Sequence, residues 1–176
     1  MENYNPILLK EKERLIEIYK LRVKAWQSYG IITPQTYPNG YTDVLDTDGL
    51  HWVIQSENKV IGSARLNILF EPNSLPYPKT FKRVIDFDTD SPFIFYSRLV
   101  IDPEYQGNNY SALLDEARIN FIKKQTGIKK IIATAGEKRA KKLKCYGFNI
   151  LGKVILSDDY KSMDSMDTYI IQMKNE

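Results

Sequence analysis

One cysteine, Cys145, and one histidine, His51, are all that the 176 residues contain of either type. A lone cysteine excludes an intrachain disulfide and suits a reducing compartment. With a single histidine and no clustered cysteines, a catalytic zinc site lacks its usual ligands, so no metal is expected. No apolar run approaches the roughly 20 residues that span a bilayer. The N-terminal MENYNPILLKEKER lacks the basic-then-apolar pattern of a secretory signal. Internal repeats and low-complexity tracts are also missing. These absences predict a cytoplasmic protein with no membrane partner. Acidic charge is scarce in one stretch. From Arg118 to Lys153 eleven Lys or Arg accompany one acid, Glu137, a local balance of +10. The whole chain carries +3, so the remainder carries 3 − 10 = −7. Such a segment attracts a polyanion (nucleic acid, a phosphorylated cofactor or an acidic carrier protein) unless its lysines only solvate two helix faces.

What is present describes an ordinary globular chain, with 43% hydrophobic and 27% charged residues. Its length suits a single domain over residues 1–176. Leu15, Ile16, Tyr19, Val23 and Trp26 recur at helical spacing and predict a helix from Lys10 to Ser28, stopped by Gly30. Residues 31–50 read as a long loop with room for a short helix. His51–Gln55 and Val60–Phe70 predict a hairpin across Ser56-Glu57-Asn58-Lys59, and Gly62 inside the second strand signals a bulge or a close backbone approach. A second irregular stretch, 71–92, carries Pro72, Pro76, Pro78 and Pro92. Loops this long are usually functional, and both are natural walls for an acceptor. Phe93–Ile101 is a strongly apolar strand. Helix 111–126 follows, with Leu113, Leu114, Ala117 and Phe121 on one face. Then come strand 129–135, a basic helix 137–146 stopped by Gly147, and two strands, 148–156 and 168–173, that pair. This order predicts an α/β (α+β) fold: a mixed sheet of six to seven strands with helices on both faces.

The informative segment is SRLVIDPEYQGNNYSALLDEAR, Ser97 to Arg118. A strand enters a Gly/Asn-rich turn that opens a helix, so unpaired N–H groups and the positive end of the helix dipole face the turn. A pyrophosphate is a natural occupant. Gly107, Asn108 and Asn109 are residue types that tolerate the positive φ such a cradle needs.

This segment resembles that of the GNAT acyltransferases, whose Gln/Arg-x-x-Gly-x-Gly/Ala turn cradles the pyrophosphate of acyl-coenzyme A. Gln106 matches the first position, while Asn109 and Ser111 replace the two small residues. VIDPEYQG and KCYGF also resemble family segments, and the element order matches over nearly the whole chain. The resemblance implies a mostly antiparallel GNAT sheet and an N-acyltransferase acting on acetyl-coenzyme A or a longer acyl-coenzyme A. Leu99, Val100 and Ile101 would then meet the pantetheine arm, and Gln106, Gly107, Asn108, Asn109, Tyr110 and Ser111 the pyrophosphate. IYKLRVKAW, TDVLDTDGLHWVI, VIGSARL and YSRLVI are similar to segments of the acyl-homoserine-lactone and N-acyl amino acid synthases, through Arg22, Asp43, Asp46, Arg65 and Arg98. Phe95 stands where that branch has an acid. This likeness implies a small amine or amino-acid acceptor, admits an acyl carrier protein as donor partner, and is compatible with a homodimer.

The proton-handling groups are open. The tyrosine that many GNAT members use as acid falls on Leu143 here. Tyr146 lies nearby, as a proton donor or a packing residue; His51 is a general base or a structural strand-end residue. Arg65 and Arg98, both within apolar strands, hold an acceptor or form structural ion pairs. Asp43 and Asp46 are their natural partners, or caps of a loop turn. Two rivals remain: an acyl-coenzyme A sensor without turnover, and a nucleic-acid binder. The latter lacks any reader motif, and no nucleic-acid partner is expected.

Overall fold

In the computed structural model, residues 4–32, 34–76, 78–87, 91–153 and 168–174 are described. Their elements in chain order are β1 (Ile7–Leu8), α1 (Leu15–Gln27), β2 (Leu50–Ser56), β3 (Lys59–Leu69), α2 (Pro78–Lys82), β4 (Phe93–Ile101), α3 (Tyr110–Ile122), β5 (Lys130–Gly136), α4 (Glu137–Leu143), β6 (Asn149–Lys153) and β7 (Thr168–Lys174). The strands form one open sheet in the order β1-β2-β3-β4-β5-β7-β6. β4 and β5 run parallel; β1–β2, β2–β3, β5–β7 and β6–β7 are antiparallel. This is the mixed sheet with helices that the element order predicted, mostly antiparallel as the resemblance implied. The expected strand residues 154–156 lie outside the described residues. No helix among the described residues is long and apolar enough to cross a membrane.

By contact density the chain forms two compact units, Met1–Leu66 with Arg98–Phe121, and Asn67–Ser97 with Ile122–Glu176. β3 and β4 each contribute to both. In the first unit Ile18, Leu21 and Ala25 of α1 pack with Val53, Val60 and Val100. The stripe read from periodicity holds in part: Val23 is buried and Leu15, Tyr19 and Trp26 are partly buried against this core, whereas Ile16 is exposed and Arg22 is buried. The hairpin turn falls where expected. Glu57 and Asn58 both have positive φ, the primed two-residue geometry whose twist suits antiparallel strands. At Gly62 the bulge expectation holds, since the β2–β3 register shifts beside it, and the atoms crowding it are side-chain atoms, with a Cβ there lying 2.9 Å from Ile101 Cδ1.

Helix α3 departs from the sequence expectation in length and in face. It ends at Ile122, ahead of the polar run Lys123–Thr126, and its buried residues include Ala112, Leu114, Asp115, Arg118, Ile119 and Ile122. Arg118 was counted with the basic surface segment, but it is fully enclosed. It meets Asp115 at 2.9 Å and donates to the carbonyls of Leu114 and Arg65. A buried guanidinium is tolerated because its donors are met, and hydropathy patterning does not show such pairing.

In the second unit Tyr96 packs its ring on Phe148, and Phe81 on Phe95. The short helix α4 runs into a 3-10 turn, Lys144–Tyr146, and Gly147 follows with left-handed φ. That pair of turns covers the predicted basic helix and its stop.

Candidate active site

Two features of the first unit form the site, a cavity and an ion-pair cluster. The cavity, about 300 Å³, is lined by Ala25, Trp26 and Tyr29 of α1 and its end, by Leu99–Ile101 of β4, and by residues of the following turn and the start of α3. Of the nine residues expected to meet the donor, eight line this one space; Asn108 does not. The turn has the backbone it needs. Gly107 sits at φ +84° and Asn109 at φ +61°, conformations that glycine takes freely and asparagine tolerates. Asn108 instead braces the turn, donating its amide to the carbonyls of Tyr105 and Gln106. Tyr29 donates its hydroxyl to Gln106 Oε1 at 3.2 Å.

The strand feeding this turn changes character at Arg98. The β4–β5 register covers Phe93 to Tyr96. Arg98 then takes φ +55°, a left-handed value that costs a side-chain-bearing residue about 1–3 kcal/mol. Leu99, Val100 and Ile101 beyond it line the cavity.

The Arg98 side chain explains why this strain is held. Its Nε and Nη2 meet Asp43 Oδ2 at 2.9 and 2.6 Å, and its guanidinium lies over the Tyr41 and Trp26 rings. Asp43 in turn receives Arg65 Nη1 at 2.6 Å. The same Arg65 nitrogen reaches Asp46 Oδ1 at 2.6 Å. Asp46 also takes both terminal nitrogens of Arg22, each at 2.7 Å. The aspartates cap the turn Val44–Asp46 as well, Asp43 accepting from the Leu45 N–H and Asp46 from the Asp43 N–H. Turn capping and ion pairing, read from sequence as alternatives, coexist. Among the described residues, three guanidiniums against two carboxylates leave the cluster one positive charge in excess.

Burial alone would push the carboxyls up. For Asp43, the Arg65 hydrogen bond and the Arg98 charge outweigh burial and hold its pKa below the ordinary value. For Asp46, the hydrogen bond and charge of Arg22, with Arg65 behind it, hold it well below the carboxylate range. Exposure separates the three arginines. The side chains of Arg22 and Arg65 are 0% exposed, whereas that of Arg98 is 16% exposed. With Nε and Nη2 occupied, Arg98 has Nη1 left to offer.

His51 pairs across the hairpin with Arg65 and is buried. Its Nε2 lies 3.1 Å from the Asp46 carbonyl. A ring nitrogen meeting a carbonyl must carry the proton, so Nδ1 is the bare acceptor. Burial, helped by the charge of Arg22, pushes the imidazole pKa down despite the favourable Asp46 carbonyl. The folded protein thus binds this proton less readily than the unfolded chain, and stability should fall as pH drops through about 6.5. With no other histidine, thermal melts from pH 7.5 to 5.5 should show a decline that His51→Gln flattens; parallel slopes would refute it. Tyr146 is half-buried at the end of its 3-10 turn, in the second unit. Leu143, at the family's tyrosine position, is buried.

Sequence reasoning placed Trp26 only on a helix face. Its spacing of four from Arg22 puts both on one side of α1, the signal that it shares the site. Tyr41 carried no signal. Among the described residues, no group of acidic, histidine or cysteine side chains is arranged to hold a metal.

A strand-turn-helix cradle beside a mixed sheet defines the acyltransferase architecture. The chain belongs to the Acetyltransferase (GNAT) family, whose model matches residues 15–148. No curated protein matches the chain. Solved structures with the same fold include the acyl-homoserine-lactone synthase LasI, at 16% identity and a TM-score of 0.70, covering 99% of this chain and 92% of that one. The N-acyl amino acid synthase FeeM, from uncultured soil microbes, shares 11% identity with a TM-score of 0.68, over 96% and 89%. The coenzyme A-dependent acyl-homoserine-lactone synthase BjaI, solved with SAM and isopentyl-CoA, shares 16% with a TM-score of 0.68, over 94% and 77%. At such identities the likeness is one of fold.

Proposed function

We propose that residues 1–176 form one catalytic domain, which transfers an acyl group from acyl-coenzyme A to the primary amine of a small acceptor in the cytoplasm. The observation that carries this reading is the convergence of Leu99–Ile101 and the Gln106–Ser111 turn on one cavity. The start of a helix leaves its first amides without intrahelical partners, so pyrophosphate oxygens suit the turn that opens α3. The pantetheine arm fits beside the end of β4, where backbone groups serve it as a neighbouring strand would.

In the reaction the amine nitrogen attacks the thioester carbonyl. A C–N bond forms, the C–S bond breaks, the ammonium loses a proton and the departing thiolate gains one. The chain's own contribution is positioning, with a β4 amide polarising the carbonyl. Tyr146 and His51 stay as candidates for proton handling.

The excess positive charge of the cluster, and the open edge of Arg98, favour an acceptor that also bears a carboxylate, such as an amino acid. Arg65, sealed behind Asp43 and Asp46, would act by holding Arg98's partner in place. A second reading takes the donor from an acyl carrier protein. The exposed lysines 138, 141 and 142 of α4 favour it, since they complement an acidic carrier.

Free-thiol release tests the proposal, using acetyl-coenzyme A and a long-chain acyl-coenzyme A across amines with and without a carboxylate. Turnover is expected with amino acids preferred. Asn109→Ile should lose at least tenfold in donor affinity, because a β-branched residue resists φ near +60°. Binding without turnover would shift the assignment to a sensor or to a carrier-protein donor. Absence of acyl-coenzyme A binding would refute it.

A further inference from the structure

One fully buried carboxylate in the first unit belongs to neither the cluster nor the cavity lining. Asp102 follows Ile101 at the end of β4, and its side chain is 0% exposed. Its backbone N–H reaches the Ile61 carbonyl at 2.8 Å, which pins it to β3. It is also the first residue of the turn. Its Oδ1 caps the Glu104 N–H at 3.2 Å, and its carbonyl accepts from Tyr105 at 2.9 Å. Residues 103–110 are therefore placed from this point onward.

Two lysines from other elements converge on the carboxylate. Lys24 of α1 lies 2.8 Å from Oδ1, and Lys59 at the start of β3 lies 3.2 Å from Oδ2. Lys24 also reaches Glu104 at 2.6 Å. Lys24 immediately precedes Ala25 and Trp26, which wall the cavity on the side of α1. Both walls of the cavity are thus fastened at one carboxylate. A buried carboxylate needs such partners, and an apolar side chain would fill the place without them.

We propose that Asp102, held by Lys24, is a positioning residue that presets the cradle for the donor pyrophosphate. The inference rests on the acyl-coenzyme A reading above. Charge separates it from two simpler roles. Asp102, Glu104, Lys24 and Lys59 sum to zero. A purely electrostatic group would act with opposite signs: Asp102→Asn would leave a positive excess and tighten an anionic ligand, while Lys24→Met would leave a negative excess and weaken it. A purely structural group would lower the melting temperature and leave donor affinity unchanged in the folded protein. A clamp weakens donor binding in both variants, and the two losses do not add, because either substitution opens the same contact.

The experiment is calorimetric titration of coenzyme A into the wild-type protein, Asp102→Asn, Lys24→Met and the double variant, each with a thermal melt. The Lys24 side chain is 40% exposed, so Lys24→Met keeps the test valid if Asp102→Asn fails to fold. We expect Kd to rise about tenfold in each single variant, with the double variant no worse, and Lys24→Arg to restore affinity. Unchanged or tighter binding in Asp102→Asn, unchanged Kd in Lys24→Met, or additive losses would overturn the inference. If wild-type protein binds no coenzyme A, the acyltransferase reading fails first and takes this inference with it.

Discussion

Asp46→Ala is expected to cost about 3–5 kcal/mol, the penalty for stranding buried charge by removing its partner. Asp46 is 1% exposed and is, among the described residues, the only carboxylate meeting Arg22, whose side chain is fully enclosed. It is also one of two carboxylates on the equally enclosed Arg65. Removing it leaves a cluster of three cations and one anion. Since folded proteins are stable by about 5–15 kcal/mol in all, the variant should lie close to its unfolding limit at 25 °C. Urea denaturation gives the measurement: a large fall in midpoint with little change in slope. Converting the pair to apolar residues together, Arg22→Met with Asp46→Leu, should cost less than Asp46→Ala alone, because Arg65 keeps Asp43. A loss under about 1 kcal/mol for Asp46→Ala would show that the cluster is open to water, contrary to its burial. The pH behaviour follows the same geometry. Carboxylates held below their ordinary pKa add stability that is complete above about pH 4 and fades as pH falls through the folded values. The cluster should therefore survive mild acid and fail only in strong acid.

The second large effect is expected at Gly40. The residue sits at φ +92°, and a Cβ there would lie 2.6 Å from both the carbonyl carbon and the Cβ of Tyr19, and 2.8 Å from the Lys20 nitrogen. These are mostly backbone atoms of α1 and cannot swing aside. Gly40→Ala combines the left-handed cost with this overlap, and a loss of about 2–4 kcal/mol follows. The functional consequence should exceed the thermal one. Tyr41 next door donates its N–H to the Tyr19 carbonyl at 3.0 Å, and Thr42, Asp43 and Asp46 follow within one turn. Lifting the loop should raise the acceptor KM while leaving coenzyme A affinity near its wild-type value. Equal losses on both sides would mean that cluster and cradle are not separately held.

Much of this arrangement was legible in the sequence where a single local rule governs. The apolar run Phe93–Ile101 bounds β4 as observed, and the Gln106–Ser111 turn was marked by residues that suit positive φ. The hairpin turn was marked by Glu57-Asn58. The cluster was legible in part: Arg65 and Arg98 within apolar strands called for partners such as Asp43 and Asp46, whereas Arg22 came only with the resemblance. Spacing cannot tell whether Arg65 and Arg98 wait for a ligand or already have partners, since that depends on a loop folding back over α1. The charged members of the buried faces of α1 and α3 were missed for a related reason. Arg22, Asp115 and Arg118 are charged, hydropathy assigns them outward, and only their partners reverse the assignment. The left-handed Arg98 carried no signal at all, because no local preference puts an arginine there.

The way β3 and β4 are shared has a bearing on synthesis. The chain passes from the first unit to the second after Leu66 and returns at Arg98. Once Arg65 has left the ribosome, Arg22, Asp43, Asp46 and Arg65 are all available, and they balance as two cations and two anions. The fifth member, Arg98, arrives only after the next 31 residues of the second unit, Asn67–Ser97, have been made. A nascent chain can thus balance its fully buried ions first and add the partly exposed Arg98 afterwards. No single cut in the gene would separate the first unit from the second, because the first is made of two stretches of chain.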